Sequence, residues 1–258
     1  MALTLASEPP DVVIARLVAA QLAACAGLIA FFGTQISSME NEEVNQPNQV
    51  PALQVVTMAQ APKRRSTGLV DSVITLEVRA VMPRPTPPSS WIVMPAAPIV
   101  TNPGPGITYR ITQFGAAGES WASEAAISTG LATLTLPALA SGCTGFRIWR
   151  SEAARTWCRW VGTARTAGTW IDSAAYAMGA ECAPIRGLGS RLLAMASECL
   201  MDRDTDGQYL PSVGRYMAAG GLTLKPLPTR YYRDRNLVAH ILEAAYLTTY
   251  DPEKQVIS

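Results

Sequence analysis

The chain has 258 residues, of which 48% are hydrophobic and 16% are charged, and its formal net charge is +1. A composition this apolar excludes a disordered protein and can supply substantial buried cores. Because the net charge is close to zero, no overall field attracts the chain to nucleic acid or to an anionic membrane. We therefore expect neither a sequence-specific nucleic-acid partner nor a membrane partner.

A long apolar run lies near the start of the chain, over residues 12–32, VVIARLVAAQLAACAGLIAFF. Two acidic residues and no basic residue precede it, and Arg16 and Gln21 interrupt it, which argues against a signal peptide and against a membrane span. Its apolar residues instead fall on neighbouring helical stripes. We predict a buried amphipathic helix that ends at Gly33.

Two β-type segments follow, at 51–58 and 69–82, with a turn at 62–68 between them. The second segment alternates between two sets of residues, as a half-buried strand does. One set is Val73, Thr75, Glu77 and Arg79, and the other is Ile74, Leu76, Val78 and Ala80. The segment is long for a strand, so we predict that it projects beyond its sheet.

The turn holds the one basic cluster of the chain. It consists of Lys63, Arg64 and Arg65, close to Pro62 and Gly68. A cluster this short is typical of a solvated hairpin turn, and contact with a polyanion or a partner protein is the alternative.

Prolines mark both ends of the segment 83–185. They are Pro83, Pro85, Pro87 and Pro88 at its start and Pro184 at its end. Proline fixes φ and removes a backbone donor, so such hinges suit two linkers that run to and from an inserted domain. We predict a host domain formed by residues 1–82 and 186–258, with residues 83–185 inserted into it.

The second half of the host has a helical pattern over 186–201 and β-type patterns over 222–233 and 240–250. The expected fold class is therefore α+β, with the host order α-β-β-α-β-β. The host strands also carry aromatic residues that look exposed, namely Tyr231, Tyr232, Tyr246 and Tyr250. Long sheet edges attract partners, and a ring-forming oligomer would satisfy them.

The inserted segment has almost no helical signal. Its apolar residues alternate with polar neighbours and would supply two inner faces of one core: Tyr109, Ile111, Leu134, Leu136, Phe146, Ile148, Trp160 and Trp170. We predict an all-β sandwich and leave its strand topology open.

The cysteines are odd in number, scattered and without C-x-x-C spacing, so neither a disulfide framework nor a zinc site is expected. They are Cys25, Cys143, Cys158, Cys182 and Cys199. Cys143 and Cys158 could pair inside the insertion, and the sequence does not decide this. A reducing compartment fits best.

The residues Asp202, Asp204 and Asp206 reproduce the first half of a calcium loop, in which alternating carboxylates converge on one cation. The second half fails, because Val213 stands where the bidentate Glu belongs. We predict a polar loop, with a bound cation as the alternative. The single histidine, His240, gives no support to a catalytic triad. We expect no enzyme activity and no cofactor.

The host resembles the tail terminator and neck proteins of long-tailed bacteriophages. The resemblance rests on the order of its elements and on the segments PALQVV, LVDSVITLEVRAVM, RGLGSRLLAMASECLMD and HILEAAYLTTYD. It implies a virion structural protein that is assembled in the cytoplasm of the infected bacterium and forms a ring at the head–tail junction. A hexamer is favoured, with neck, tail-tube or sheath proteins as neighbours.

The inserted segment, through ITYRITQFGAAGESWAS and the strands after it, resembles the immunoglobulin-like or fibronectin type III-like modules that phage structural proteins often carry. Contacts between ring neighbours are expected at the long strand and the basic turn. The candidate interface residues are Lys63, Arg64, Arg65, Val73, Ile74, Leu76 and Val78.

A decoration or baseplate module that binds glycans or a receptor is the alternative function. The insertion would then do the binding, with tryptophans as stacking platforms. The candidates are Trp91, Trp121, Trp149 and Trp157, for each of which a role in the core is equally open.

Overall fold

The computed structural model shows a mixed α+β protein in which strands predominate. It describes residues 9–39, 50–64, 70–84, 88–151, 158–173, 182–202 and 217–250. The chain divides into two compact units. Unit 1 comprises residues 1–81 and 189–258, and unit 2 comprises residues 82–188.

The elements follow one another along the chain. They are α1 (Pro10–Ala24), α2 (Ala26–Phe32), β1 (Ile36–Met39), β2 (Ala52–Arg64), β3 (Val70–Pro83), β4 (Ile99–Val100), β5 (Pro103–Gly115), β6 (Gly118–Glu119), β7 (Ala126–Ser128), β8 (Thr133–Leu136), β9 (Cys143–Ser151), β10 (Cys158–Ala164), β11 (Gly168–Ile171), α3 (Leu188–Met201), β12 (Met217–Tyr232) and β13 (Leu237–Tyr250). A short 3-10 helix, Arg233–Arg235, joins β12 to β13.

The helix predicted over residues 12–32 is broken at Cys25, where the backbone is extended with φ −76° and ψ 112°. The break turns α2 so that Leu28, Phe31 and Phe32 are buried. The predicted end at Gly33 is confirmed, with φ 59°. In the described part of the chain, no single helix is long and apolar enough to cross a membrane. Only α1 and α2 together reach that length, and they are bent by 90° at the break.

Unit 1 contains a five-stranded sheet in the order β1-β2-β3-β13-β12. β1 is parallel to β2, whereas the pairs β2–β3 and β12–β13 are antiparallel. Helix α1 packs against β1 and β2. The predicted strands 51–58, 69–82, 222–233 and 240–250 correspond to β2, β3, β12 and β13, and the predicted helix 186–201 to α3. The sequence prediction lacked β1 and placed the end of β2 too early.

Unit 2 contains two sheets. One has the order β10-β9-β5-β6, with β7 also paired to β5, and the other has the order β11-β8-β4. Side chains from both sheets form one buried cluster: Tyr109, Ile111, Ala132, Leu134, Leu136, Phe146, Ile148, Val161 and Trp170. Seven of the eight predicted core residues are in this cluster.

The exception is Trp160, which lies outside that core. A register shift between Trp160 and Gly162 places Trp160 opposite Trp149, and Val161 fills the core in its place. Trp160 packs instead on a second cluster that contains Trp149 and Cys158. Simple alternation fails here because a β-bulge inserts an extra residue into the strand.

The return segment at Cys182–Ile185 is bonded to unit 2. The N–H of Ala183 donates to the Cys158 carbonyl at 3.0 Å, and the N–H of Ala122 donates to the Pro184 carbonyl at 3.1 Å. These bonds hold the end of the predicted insertion to unit 2, which extends to Leu188, three residues beyond the end predicted at residue 185.

Candidate assembly surface

The strands of unit 1 have two distinct faces. His240 of β13 lies on the face next to α3. Its ring is so close to Gly189 of α3 that a side-chain carbon added to that glycine would collide with it. We call this the helix face. Glu77 of β3 lies on the opposite face, where it reaches Arg230 of β12 across β13. Val81 of β3 lies there too and packs against odd-numbered residues of β13: Leu237, Ala239 and Ile241.

The helix face forms the core of unit 1. Its residues on β3 are Ile74, Leu76, Val78 and Ala80, all of which are fully buried. Three predicted interface residues, Ile74, Leu76 and Val78, therefore belong to the core, because strand alternation turns them towards the helices. Tyr246, expected to be exposed, is also fully buried.

The opposite face carries an exposed apolar area at one end of the sheet. Val73 is 41% exposed and Leu247 is 51% exposed. The two lie close together because the Thr248 hydroxyl donates to the Ser72 carbonyl at 3.1 Å. Ala61 faces Val73 across the β2–β3 pair. We call this area the sheet patch and define it as Met58, Ala61, Val73, Ala245 and Leu247.

The predicted basic turn is described only in part. Lys63 and Arg64 occupy the last two positions of β2, where their Cα partners on β3 are Asp71 and Val70. Arg65 lies outside the described residues.

A buried charge cluster borders the sheet patch. Glu77 accepts hydrogen bonds from Arg79 Nε at 2.7 Å and from Arg230 Nη1 and Nη2 at 3.1 and 2.7 Å. Arg79 also reaches the Met58 sulfur at 3.6 Å. The carboxylate thereby connects β3 to β12. Periodicity did not predict this cluster, since charged residues in an alternating strand are expected to face solvent.

The edges of the unit 1 sheet are β1 and β12. Among the described strands, β12 pairs with β13 alone, over 16 residues. Pro226 and Pro228 lie within it and have no N–H to donate, so they interrupt the pairing capacity of this edge. β1 has only 4 residues. Blunted edges of this kind favour contact through the face of the sheet.

The tryptophans proposed for ligand stacking differ in exposure. Trp91 is 88% exposed, and Val93 and Met94 beside it are exposed too. Trp149 is fully buried, and its indole N–H donates to the Thr112 hydroxyl at 3.0 Å, so it has no surface to offer a ligand. Trp121 is half-buried, and Trp157 lies outside the described residues.

The predicted metal loop begins directly after α3. Asp202 follows the helix, whereas Asp204 and Asp206 lie outside the described residues. Among the residues that are described, no three His, Cys, Asp or Glu side chains are grouped to hold a metal ion. His240 lies 3.3 Å from the Thr229 hydroxyl, and burial lowers the pKa of its imidazole.

Unit 2 contains a buried polar triad. The Tyr109 hydroxyl donates to Asp172 Oδ2 at 2.6 Å and accepts from the Ala132 N–H at 3.2 Å. Arg150 Nη1 donates to both Asp172 oxygens, at 2.7 and 2.8 Å. The pKa of Tyr109 is raised, mainly by burial and to a smaller extent by the hydrogen bond to Asp172. The triad joins the two sheets of unit 2 and lies within its interior, which fits a structural role.

No protein-family model matches the chain, and neither the curated proteins nor the solved structures contain a match to it.

Proposed function

We propose that this chain is a virion structural protein that forms a ring at the head–tail junction of a long-tailed phage, as a tail terminator or neck protein. Unit 1 is the ring-forming host domain of α-β-β-α-β-β type, elaborated by α2 and β1. Unit 2 is an immunoglobulin-like sandwich displayed on the outside. The resemblance of the host segments to that phage family supports this assignment.

The observation that carries the proposal is the sheet patch. Val73 and Leu247 are exposed apolar side chains on the face away from the helices, and Ala61 and Ala245 add no charge between them. A patch of this kind is typical of a surface that another protein covers. A contact between different surfaces of identical subunits closes into a ring when its rotation permits.

The size of the patch bears on how a neighbour covers it. A stable interface buries about 800 Å² on each partner, which is more than five mostly small side chains supply. The interface therefore extends beyond the patch. Lys63 and Arg64 are candidates from the predicted basic cluster, because they follow Ala61 at the end of β2.

The test is the oligomeric mass of the purified protein, measured by light scattering and native mass spectrometry. We expect a closed ring, with a hexamer favoured. Val73→Asp and Leu247→Asp should each yield folded monomers. Ile29→Asp is the matched control, because Ile29 is exposed to a similar degree but lies on α2. Wild-type protein that stays monomeric at high concentration, together with virions that lack a ring of it, would refute the proposal.

A second function is supported by Trp91, which is 88% exposed, more than any other large apolar side chain among the described residues of unit 2. An indole this exposed, flanked by Val93 and Met94, can stack on a glycan or fill a pocket of a receptor. We would measure binding of particles to host cells and to glycan arrays. Trp91→Ala should abolish binding if this function is correct, whereas Ile99→Ala, which alters an exposed residue on β4, should not.

A further inference from the structure

The helix break at Cys25 brings together residues from both ends of unit 1. In an unbroken helix the N–H of Cys25 would donate to the Gln21 carbonyl. Here it donates to the Leu22 carbonyl at 3.1 Å. The Gln21 carbonyl instead accepts a hydrogen bond from the Cys199 thiol at 3.3 Å.

A second bond runs in the opposite direction. Gln21 Nε2 donates to the Cys199 carbonyl at 2.6 Å. Cys199 lies in the last turn of α3, where carbonyl groups lack partners within the helix. The end of α1 and the end of α3 are therefore held together by reciprocal bonds between Gln21 and Cys199.

The two thiols lie close to each other in this arrangement. The Cys25 side chain is a neighbour of Cys199 and contributes to the raised pKa of its thiol. Helices α2 and α3 also approach each other closely next to these residues. A side-chain carbon added to Gly27 of α2 would lie only 2.7 Å from the sulfur of Met195 in α3. Disulfide formation would bring the Cys25 and Cys199 sulfurs to about 2.05 Å by rotation of their side chains.

We infer that Cys25 and Cys199 are a disulfide-forming pair that locks the α1–α2 break to the end of α3. The oxidant is a small-molecule disulfide such as oxidised glutathione. The Cys25 thiolate attacks one sulfur of the oxidant and releases one glutathione thiolate. Cys199 then loses its proton and attacks the Cys25 sulfur, which releases the second glutathione. Two protein thiols are oxidised and one small disulfide is reduced to two thiols.

Differences in exposure should direct the oxidant to this pair of cysteines. Cys25 and Cys199 are partly exposed, whereas Cys158 and Cys182 are buried. Cys143 is partly exposed but lies in unit 2. Burial and the neighbouring Cys25 raise the pKa of Cys199 to about 12. A raised pKa disfavours the Cys199 thiolate, and the thiolate is the attacking form, so the cross-link should form faster as the pH rises.

The disulfide would join residues that flank unit 2 in sequence, and so would close a very long loop. Cross-links of this kind restrict the unfolded chain and stabilise the fold. The inference concerns unit 1 alone and does not depend on the proposed virion function.

The test treats the folded wild-type protein with oxidised glutathione, blocks remaining thiols with an alkylating reagent and maps the peptides by mass spectrometry. We expect one cross-linked pair that contains Cys25 and Cys199, formed faster at pH 9 than at pH 7. The melting temperature of unit 1 should rise by several degrees, and dithiothreitol should reverse the rise.

Cys25→Ser and Cys199→Ser should each abolish the cross-link, and Cys143→Ser is the control that keeps it. The peptide map of the wild-type protein decides the matter even if a serine variant fails to fold. Glutathione or alkyl groups on both Cys25 and Cys199 with no cross-link between them would overturn the inference. A cross-link from either residue to a different cysteine would do the same.

Discussion

Arg230 of β12 donates two hydrogen bonds to the Glu77 carboxylate on β3, across the intervening strand β13. The Glu77 side chain is 4% exposed and forms ion pairs with the guanidinium groups of Arg79 and Arg230. The cluster divides the face of the sheet into two parts. An apolar group around Val81 and Ile241 is buried at one end, and the sheet patch is exposed at the other.

Glu77→Ala should be strongly destabilising, because it removes the carboxylate that the buried Arg79 and the partly exposed Arg230 share. We expect a loss of about 3–5 kcal/mol in the free energy of unfolding, measured by urea denaturation. Arg230→Ala should cost less, since that side chain is 40% exposed. Asp234→Ala is the control: it removes an exposed pair with Arg235 and should change stability by less than about 1 kcal/mol. Equal losses for Glu77 and Asp234 would contradict this account.

Two buried tyrosines should respond in opposite ways to removal of the hydroxyl. Tyr109→Phe deprives Asp172 and Ala132 of a partner and should cost unit 2 about 1–3 kcal/mol. Tyr246 has a buried hydroxyl with no hydrogen-bond partner among the described residues. Tyr246→Phe should therefore be neutral or stabilising for unit 1. Thermal unfolding of the two variants, each beside wild type, makes the comparison. A loss of stability in Tyr246→Phe would show that its hydroxyl has a partner.

The same tyrosines predict that both units lose stability at high pH. Burial raises the pKa of Tyr109 and of Tyr246 above the ordinary value of 10.0. The neutral phenol is thus favoured in the folded state. Its contribution is complete below pH 10 and falls as the pH rises above that value. Melting temperatures between pH 8 and 11, followed together with tyrosinate absorbance, test this. The Phe variants should each flatten the alkaline decline of one unit.

The alternation of the segment 69–82 was enough to predict β3 and its two faces. It was not enough to predict which face another protein can reach. Leu247 joins Val73 only because β13 pairs beside β3, a contact between distant parts of the chain. Alternation likewise gave no sign that Glu77 forms an ion pair, since its partner Arg230 is far away in sequence. The break at Cys25 could not be predicted from the pattern, because the apolar run continues on both sides of it.

Gly189 at the start of α3 is a position where we expect no larger residue to fit. A side-chain carbon there would collide with the His240 ring, so Gly189→Ala must displace a half-buried imidazole. The cost should be about 1–3 kcal/mol, read from the midpoint of thermal unfolding. In Gly221→Ala the nearest atom is the Leu247 Cβ at 3.6 Å, an ordinary contact, so this control should stay close to wild type. Similar midpoints for both variants would mean that α3 shifts freely.

The two units should fold independently, because each has its own buried core and its own sheets. Residues 182–185 are bonded to unit 2, so a deletion should remove them with that unit. Replacing residues 84–187 by a Gly/Ser linker should leave a unit 1 that unfolds cooperatively, as followed by circular dichroism. A fragment of residues 82–188 should do the same. Non-cooperative melting of both products would show that neither unit is a domain.

The final prediction separates assembly from folding at two adjacent residues of β3. Val73 lies on the exposed sheet patch, and Ile74 is fully buried on the helix face. Ile74→Ala should lower the free energy of unfolding by about 2–5 kcal/mol, because it removes buried methyl groups and leaves a cavity. Val73→Ala should change it by less than about 1 kcal/mol, as is usual for surface positions.

If the patch is the ring contact, Val73→Ala should nevertheless weaken the oligomer. Ile74→Ala should retain its ring until unit 1 unfolds. Urea denaturation and light scattering on the same samples give both quantities. An oligomer that is weakened by Ile74→Ala but not by Val73→Ala would move the contact to the helix side.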